Sequence, residues 1–342
     1  MSGADAKATA EKTTLAETQV VDLRTAIRQA LTEEMLRDER VYVMGEEVAE
    51  YNGAYKVTKG MLDQFGPKRI IDTPITESGF AGLAIGSAMA GLRPVVEFMS
   101  WNFSFVAFDQ IISNASKMHY MTGGMFQVPI VFRGPNGAGP RVSSQHSHSV
   151  EALYAHFPGL IVTSVCTPYD AKGILKTAIR SNNPVCFLEN EMLYGFEQEI
   201  PTAEYLIPFG QADIKRPGDD CTIVAIGRCV HRALEAAEQL ASEGIQCEII
   251  DPRTIKPLDI DTIVTSVRKT NRLVVVEECH TFGGVSAEIT HLVQERAFDD
   301  LDAPIGRVTQ MECPLPYAEN LESESIPNPR RICEAVRQAC YR

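Results

Sequence analysis

Short runs that are apolar nearly throughout, not at alternate positions, recur along this chain: Val41–Met44, Pro94–Phe98, Pro129–Phe132, Leu160–Val165, Val185–Glu189, Cys221–Ala225, Cys247–Ile250 and Leu273–Glu277. A strand that is apolar on both faces has to be covered on both faces, which is the condition inside a parallel sheet. Between the runs lie stretches with helical spacing. Leu23, Ile27, Leu31 and Met35 recur every four residues behind Asp22, a residue type that caps helices. Gly79–Gly91, Phe103–Met118, Val150–His156, Tyr169–Ser181, Arg232–Ser242, Asp259–Val267, Val285–Ala297 and Arg330–Cys340 read as further helices. Strand and helix in alternation specify an α/β fold. The stretch from Gln198 to Gly218, with Pro201, Pro208 and Pro217, interrupts the alternation. The expectation is a disordered tail over 1–19, a doubly wound α/β domain over 20–200, a linker over 201–220 and a second doubly wound α/β domain over 221–342. Ligands of such sheets lie beyond the carboxyl ends of the strands, so the loops there carry the functional weight.

Composition narrows the function. With 32 Lys and Arg against 45 Asp and Glu the formal charge is −13, which disfavours a phosphate-rich partner such as nucleic acid. No apolar run approaches the ~18 residues of a membrane span. The nine cysteines are odd in number and form no CxxC pair, so they read as reduced thiols of an intracellular protein, not as a disulfide framework or a zinc site. Residues 1–17 hold Lys7 and Lys12 but no Arg and no apolar core, pointing to a cytoplasmic chain or a processed organellar one.

Several motifs admit both a plain and a functional reading. Gly79, Gly82 and Gly86 share one helix face just after the loop that ends in Glu77. Each costs ~1 kcal/mol relative to alanine, and either close packing of helix on sheet or a large flat ligand beside Glu77 would account for them. Arg133-Gly134-Pro135-Asn136-Gly137-Ala138-Gly139 lacks the phosphate-loop and dinucleotide patterns and reads as a flexible loop. In Gln145-His146-Ser147-His148, no Cys or carboxylate set accompanies the histidines, so acid–base work is the better reading than zinc. Glu46 and Glu47 follow the first strand, where solvated loop charges are common. Met99, Trp101 and Phe103 alternate behind another strand, as core or interface residues do.

Taken in order, "MGEEVAEYNGAYKVTKG", "RIIDTPITESGFAGLAIGSAMAGLRPVVEFM", "VPIVFRGPNGAG", "QHSH", "LENEMLYG", "IIDPRTIKPLD" and "PLPYAENLE" resemble the β-subunit family of the thiamine-diphosphate-dependent 2-oxo acid dehydrogenases, on its pyruvate branch. The resemblance runs from about residue 20 to the last residue. It implies a pyrimidine-binding domain followed by a transketolase-like C-terminal domain, in an α₂β₂ assembly. Pyruvate would be decarboxylated oxidatively and the acetyl group passed to the lipoyl domain of a dihydrolipoyl acyltransferase; a sister subunit for branched-chain 2-oxo acids or acetoin, or a non-catalytic scaffold subunit, is the alternative. Thiamine diphosphate would be shared with an α subunit that holds its Mg²⁺ through a GDG motif; here Gly218-Asp219-Asp220 is the nearest approach and is not one. Carried over by motif, Glu77 would hydrogen-bond a ring nitrogen of the aminopyrimidine, with Ile75, Met99 and Phe103 around the ring. His146 would serve the lipoyl channel, and Glu46 would line a proton-relaying tunnel between paired sites. A structural K⁺ would be held at Ile130, Ala178, Ile179, Ser181 and Asn183, where Ser181 replaces an Asp of some relatives.

Overall fold

The computed structural model describes residues 17–342. Residues 1–16, most of the expected tail, lie outside the described residues. In the larger sheet seven strands run in the order Thr254–Lys256, Ile161–Ser164, Val185–Glu189, Val131–Pro135, Arg93–Glu97, Val41–Gly45 and Ile70–Asp72. All neighbours are parallel except Thr254–Lys256, which joins the edge antiparallel. The smaller sheet orders Gly306–Gln310, Leu273–His280, Cys221–Ala225, Cys247–Asp251 and Asp213–Arg216, with only the last antiparallel. The apolar runs form buried parallel strands: those at 41–45, 131–135, 185–189, 221–225 and 247–251 are buried at every position.

Helices cover both sheets. Asp22 caps the first, Leu23–Arg37, its side chain accepting from the Thr25 amide at 2.8 Å. That helix buries Leu23, Ile27, Leu31 and Met35, each worth about 1.5–3 kcal/mol of transfer from water.

Four segments depart from the expectation, each for a local reason. Thr18–Asp22, partly assigned to the tail, is a strand paired with Glu197–Pro201, so order begins before residue 20. Asp213–Arg216 lies in the expected linker, yet it is an edge strand of the smaller sheet; edges favour charged residues, which hide the strand signal. Thr254–Lys256 is too short to announce itself, but it carries the chain after the strand Cys247–Asp251 back onto the larger sheet and fastens the two sheets together. Phe103–Met118 is not one helix. It breaks into a 3₁₀ turn at Phe103–Phe105, a π-helical segment at Gln110–Ala115 and a short helix at Met118–Met121.

The cores of the two sheets are continuous: Val131, Val165 and Phe187 pack in one cluster with Ile223, Ala225 and Val276. The larger sheet's parallel strands end at Gly45, Asp72, Glu97, Pro135, Ser164 and Glu189, so the loops after them gather at one edge.

Candidate active site

At that edge the buried strand Val41–Gly45 delivers Glu46, and its neighbour Ile70–Asp72 leads through a four-residue loop to Glu77, the first residue of the helix Glu77–Met89. The Asp72 carboxylate accepts from the amides of Ala49 (2.7 Å) and Glu50 (3.0 Å), which fixes the turn behind Glu46. Glu46 and Glu77 are 5% and 6% exposed and face each other. Burial, and then the charge of Glu77, push the Glu46 carboxyl up to about 7, and no basic group opposes them. The Glu46 Oε1 atom finds no hydrogen-bond partner among the described residues. Thr76 offers no side-chain cap, so the helix that starts at Glu77 presents a bare N-terminus, whose dipole favours the Glu77 carboxylate. The adjacent pair Glu46-Glu47 thus divides: Glu46 is buried in the site and Glu47 is exposed.

Ile75, on the loop before Glu77, stands 79% exposed, and Met99 and Phe103, beyond the carboxyl end of the neighbouring strand Arg93–Glu97, are half-buried. The Phe103 ring meets the exposed His146 imidazole edge-on, centroids 5.3 Å apart. Asn102, which carried no signal in the sequence, joins these loops. Its Oδ1 accepts the His148 backbone N–H at 2.9 Å, which fixes the orientation of the amide, and its Nδ2 donates to Ser100 Oγ. The His148 ring Nδ1 lies 2.6 Å from the same Oδ1 and must therefore be the protonated nitrogen, leaving Nε2 with its lone pair. Burial, reinforced by His280 and His146, lowers the pKa of His148 and favours this neutral form.

Two motifs behave differently from their plain readings. Residues 134–139 are buried, not a flexible loop: the Asn136 amide bonds Glu189 O, Gly137 bonds His148 O and Ala138 bonds Glu278 Oε2. Gly137 has φ +78°, and a Cβ there would meet Glu278 Oε2 at 2.2 Å, so only glycine serves. Gly79 and Gly86 face outward beside Leu83, which is 63% exposed, and a Cβ on Gly86 would touch nothing within 4 Å, whereas Gly82 is half-buried, with Gln110 Oε1 3.1 Å from where its Cβ would stand. Gly218-Asp219-Asp220 is a structural turn: its backbone bonds Gln246 O, Asp220 Oδ2 accepts from the Gln246 amide at 2.6 Å, and a Cβ on Gly218 would meet Cys247 C at 2.2 Å.

Ile130, Ala178, Ile179, Ser181 and Asn183 gather around the C-terminus of the helix Pro168–Arg180. There the carbonyls of Ile179 and Ser181 each accept from Arg93 Nη1 at 2.9 Å, and Arg93 Nη2 reaches Asn182 Oδ1 at 2.7 Å. The Ile130 carbonyl serves the Val185 amide, and that of Ala178 serves the Ser181 amide. Two of the five expected ligands are thus engaged by a fixed positive charge, and Ser181 adds no counter-charge. The residues fit this internal cation better than an added K⁺.

Among the described residues, the metal-type cluster is Cys166, Asp170 and Asp251, with no histidine in it. It is already neutralised: Lys215 Nζ stands 2.5 Å from Asp170 and 3.6 Å from Asp251, and Arg253 2.7 Å from Asp170. No helix among the described residues is long and apolar enough to cross a membrane.

Residues 19–197 match the family model for the transketolase pyrimidine-binding domain, and residues 210–332 the model for the transketolase C-terminal domain. The chain is 57% identical over 321 residues to the pyruvate dehydrogenase E1 component subunit beta of Rickettsia felis, covering 94% of this chain and 98% of that protein. It is 52% identical to the corresponding protein of Rhizobium meliloti (95% of this chain, 71% of that protein). It is 53% identical to the mitochondrial one of Bos taurus (93% and 90%). Among solved structures, a split-gene transketolase described as an inactive beta4 tetramer superposes with TM-score 0.77 at 22% identity, covering 94% of this chain and 98% of that one; this is a likeness of fold.

Proposed function

The chain belongs to the family of β subunits of the pyruvate dehydrogenase E1 component and functions as one, and from that premise we propose how its own residues share the work. The carrying observation is the buried pair Glu46 and Glu77, left without a basic partner, with the exposed Ile75 two residues before Glu77. An aminopyrimidine suits this place. Its ring would lie against Ile75, Met99 and Phe103, and a ring nitrogen would complete the hydrogen bonding that the carboxyl pair lacks. Bound thiamine diphosphate supplies the centre that stabilises a carbanion from a 2-oxo acid.

The Glu77 carboxyl would face that ring nitrogen and hydrogen-bond it. Glu46 titrates close to neutrality and so can give or take the proton beside it. His146, on its exposed turn against Phe103, reaches the acyl acceptor and carries the proton for transfer to a lipoyl group. The diphosphate and Mg²⁺ need a near-octahedral oxygen cage, which the Gly218–Asp220 turn does not provide, so the α subunit holds them. Two copies of each chain then make two shared clefts in an α₂β₂ assembly, and Leu83, Phe105 and Val106, exposed near the cleft, suit the α contact.

Calorimetric titration tests the division. The purified chain with thiamine diphosphate and Mg²⁺ should show no micromolar binding until the α subunit is added. Tight binding and pyruvate decarboxylation by this chain alone would overturn it.

A further inference from the structure

Between the buried segment 134–139 and His146 the chain takes a costly route. Arg141 and Ser143, two residues apart, have φ +59° and +64°, in the left-handed region that residues with side chains rarely occupy. Such positions persist only where the surroundings hold them, and they collect at working sites. The base of this loop is closed: the Gly137 amide donates to His148 O at 3.0 Å, and the Ser147 hydroxyl to Ser143 O at 2.6 Å. Its outer part is open, with Pro140, Arg141, Gln145 and His146 all exposed.

What meets that outer part comes from the C-terminal domain. Arg141 Nη1 donates to Glu319 Oε2 at 2.8 Å, and Glu319 opens the helix Glu319–Ser325. Among the described residues this is the one ion pair that residues 138–148 make. A cleft of about 550 Å³ is lined by Ser144, Ser147 and His148 of the loop and by Gln310, Glu312 and Leu315 of that domain. Arg141 and Glu319 therefore tie together the two segments that wall the cleft. Their side chains are 54% and 74% exposed. An ion pair so exposed biases an equilibrium by only about 1.4–5-fold, and the two left-handed residues pull the other way. The turn is held in place lightly.

The geometry points to Arg141 as a positioning residue for His146. Its pairing with Glu319 holds the strained turn in the orientation that sets the His146 imidazole against Phe103, and release of the pair lets the turn relax. This rests on the reading of His146 as the group that serves acetyl transfer to a lipoyl group. In this role Arg141 acts through His146 and not on the reacting atoms.

The experiment assembles the chain with its α subunit as Arg141→Glu, as Glu319→Arg and as the double reversal. Two rates are compared in each: acetyl transfer to a free lipoyl domain, and pyruvate decarboxylation with an artificial electron acceptor. Each single reversal should lower the kcat of acetyl transfer relative to decarboxylation by about 2–5-fold and leave the KM for the lipoyl domain in place. Hydrogen–deuterium exchange in a 140–147 peptide should quicken in both. The double reversal should restore the ratio and the exchange. High salt should narrow the gap between wild type and the single variants, because the pair is exposed. His146→Ala separates this inference from the reading beneath it. Full acetyl transfer by that variant would overturn the reading, and the inference with it. Crippled transfer there, beside wild-type ratios or wild-type exchange in the Arg141 and Glu319 variants, would overturn the inference alone. So would a KM that rises in Arg141→Glu and is not restored by the second reversal, the mark of direct contact with the lipoyl domain.

Discussion

Neighbouring strands of the larger sheet treat buried carboxylates in opposite ways. Glu97 and Glu189 are buried around Arg133, whose Nε and Nη2 meet the two Glu189 oxygens at 2.5 and 2.6 Å while Nη1 meets Glu97; Tyr194 adds a hydrogen bond to Glu189 at 2.6 Å. Glu46 and Glu77, at the ends of adjacent elements, are buried nearly as well and have only each other. Burying charge is tolerated when it is paired and hydrogen-bonded, and costs several kcal/mol when it is not. The Arg133 cluster is therefore finished structure, holding three parallel strands in register. The Glu46–Glu77 pair is unfinished until a ligand arrives, and that incompleteness marks the working site.

Glu77→Gln should do the most damage to the open pair. The amide keeps the shape and removes the acid, so a carboxyl that works should cost the assembled enzyme roughly 10²–10⁴-fold in pyruvate decarboxylation, with melting of the free chain little changed. Hydrogen–deuterium exchange at the reactive carbon of bound thiamine diphosphate reads the same step directly. An unchanged exchange rate would make Glu77 a structural acid like Glu97.

Arg133→Met strikes the other member. It strands two buried carboxylates without their cation, and breaking such a pair costs about 3–5 kcal/mol. Denaturant unfolding of the chain should show that loss. Wild-type stability in the variant would mean that the cluster does not hold these strands together.

This contrast also divides what the sequence could reveal. Apolar runs marked the strands that are covered on both faces, because burial leaves a period that can be read residue by residue. Thr18–Asp22, Asp213–Arg216 and Thr254–Lys256 escaped because edge and two-stranded pairings tolerate polar residues and are decided by partners far away in sequence. The π-helical break at Gln110–Ala115 leaves no period to find. Glu77 stood out through its phrase, and the outward glycines beside it were visible as a face but not as to which way the face points. Asn102 was silent: its two bonds to His148 span 46 residues and exist only once the loops meet.

Asn102→Asp sharpens the role of that residue with a smaller effect. The new carboxylate still accepts the His148 amide, but it favours the charged imidazolium that burial now disfavours. A neighbouring opposite charge shifts such a group by roughly 1–3 units. If His148 takes part in proton traffic, the acid limb of the acetyl-transfer pH profile should move upward by about one unit or more, and NMR titration of His148 should follow it. A profile that stays in place while the imidazole titrates higher would leave Asn102 as a positioning residue for the loop alone.

The smallest effect falls at Gly86, more than two turns along the helix that begins at Glu77. Its Cβ position touches nothing, so Gly86→Ala should stabilise the helix Glu77–Met89 by about 0.5–1 kcal/mol and raise the melting temperature of the free chain by a degree or two. Were the outward face at Gly79 and Gly86 merely solvated, that would be the whole result. The same face flanks the exposed Leu83, however, and a glycine face lets a second backbone approach closely. The added methyl group then stands where the α subunit must lie. Sedimentation of the variant with its α subunit should show weaker association, although the chain by itself has become more stable. The opposed signs are the test, since no general folding defect lowers assembly while raising the melting temperature. Unchanged association would return these glycines to plain surface and move the α contact to Phe105 and Val106.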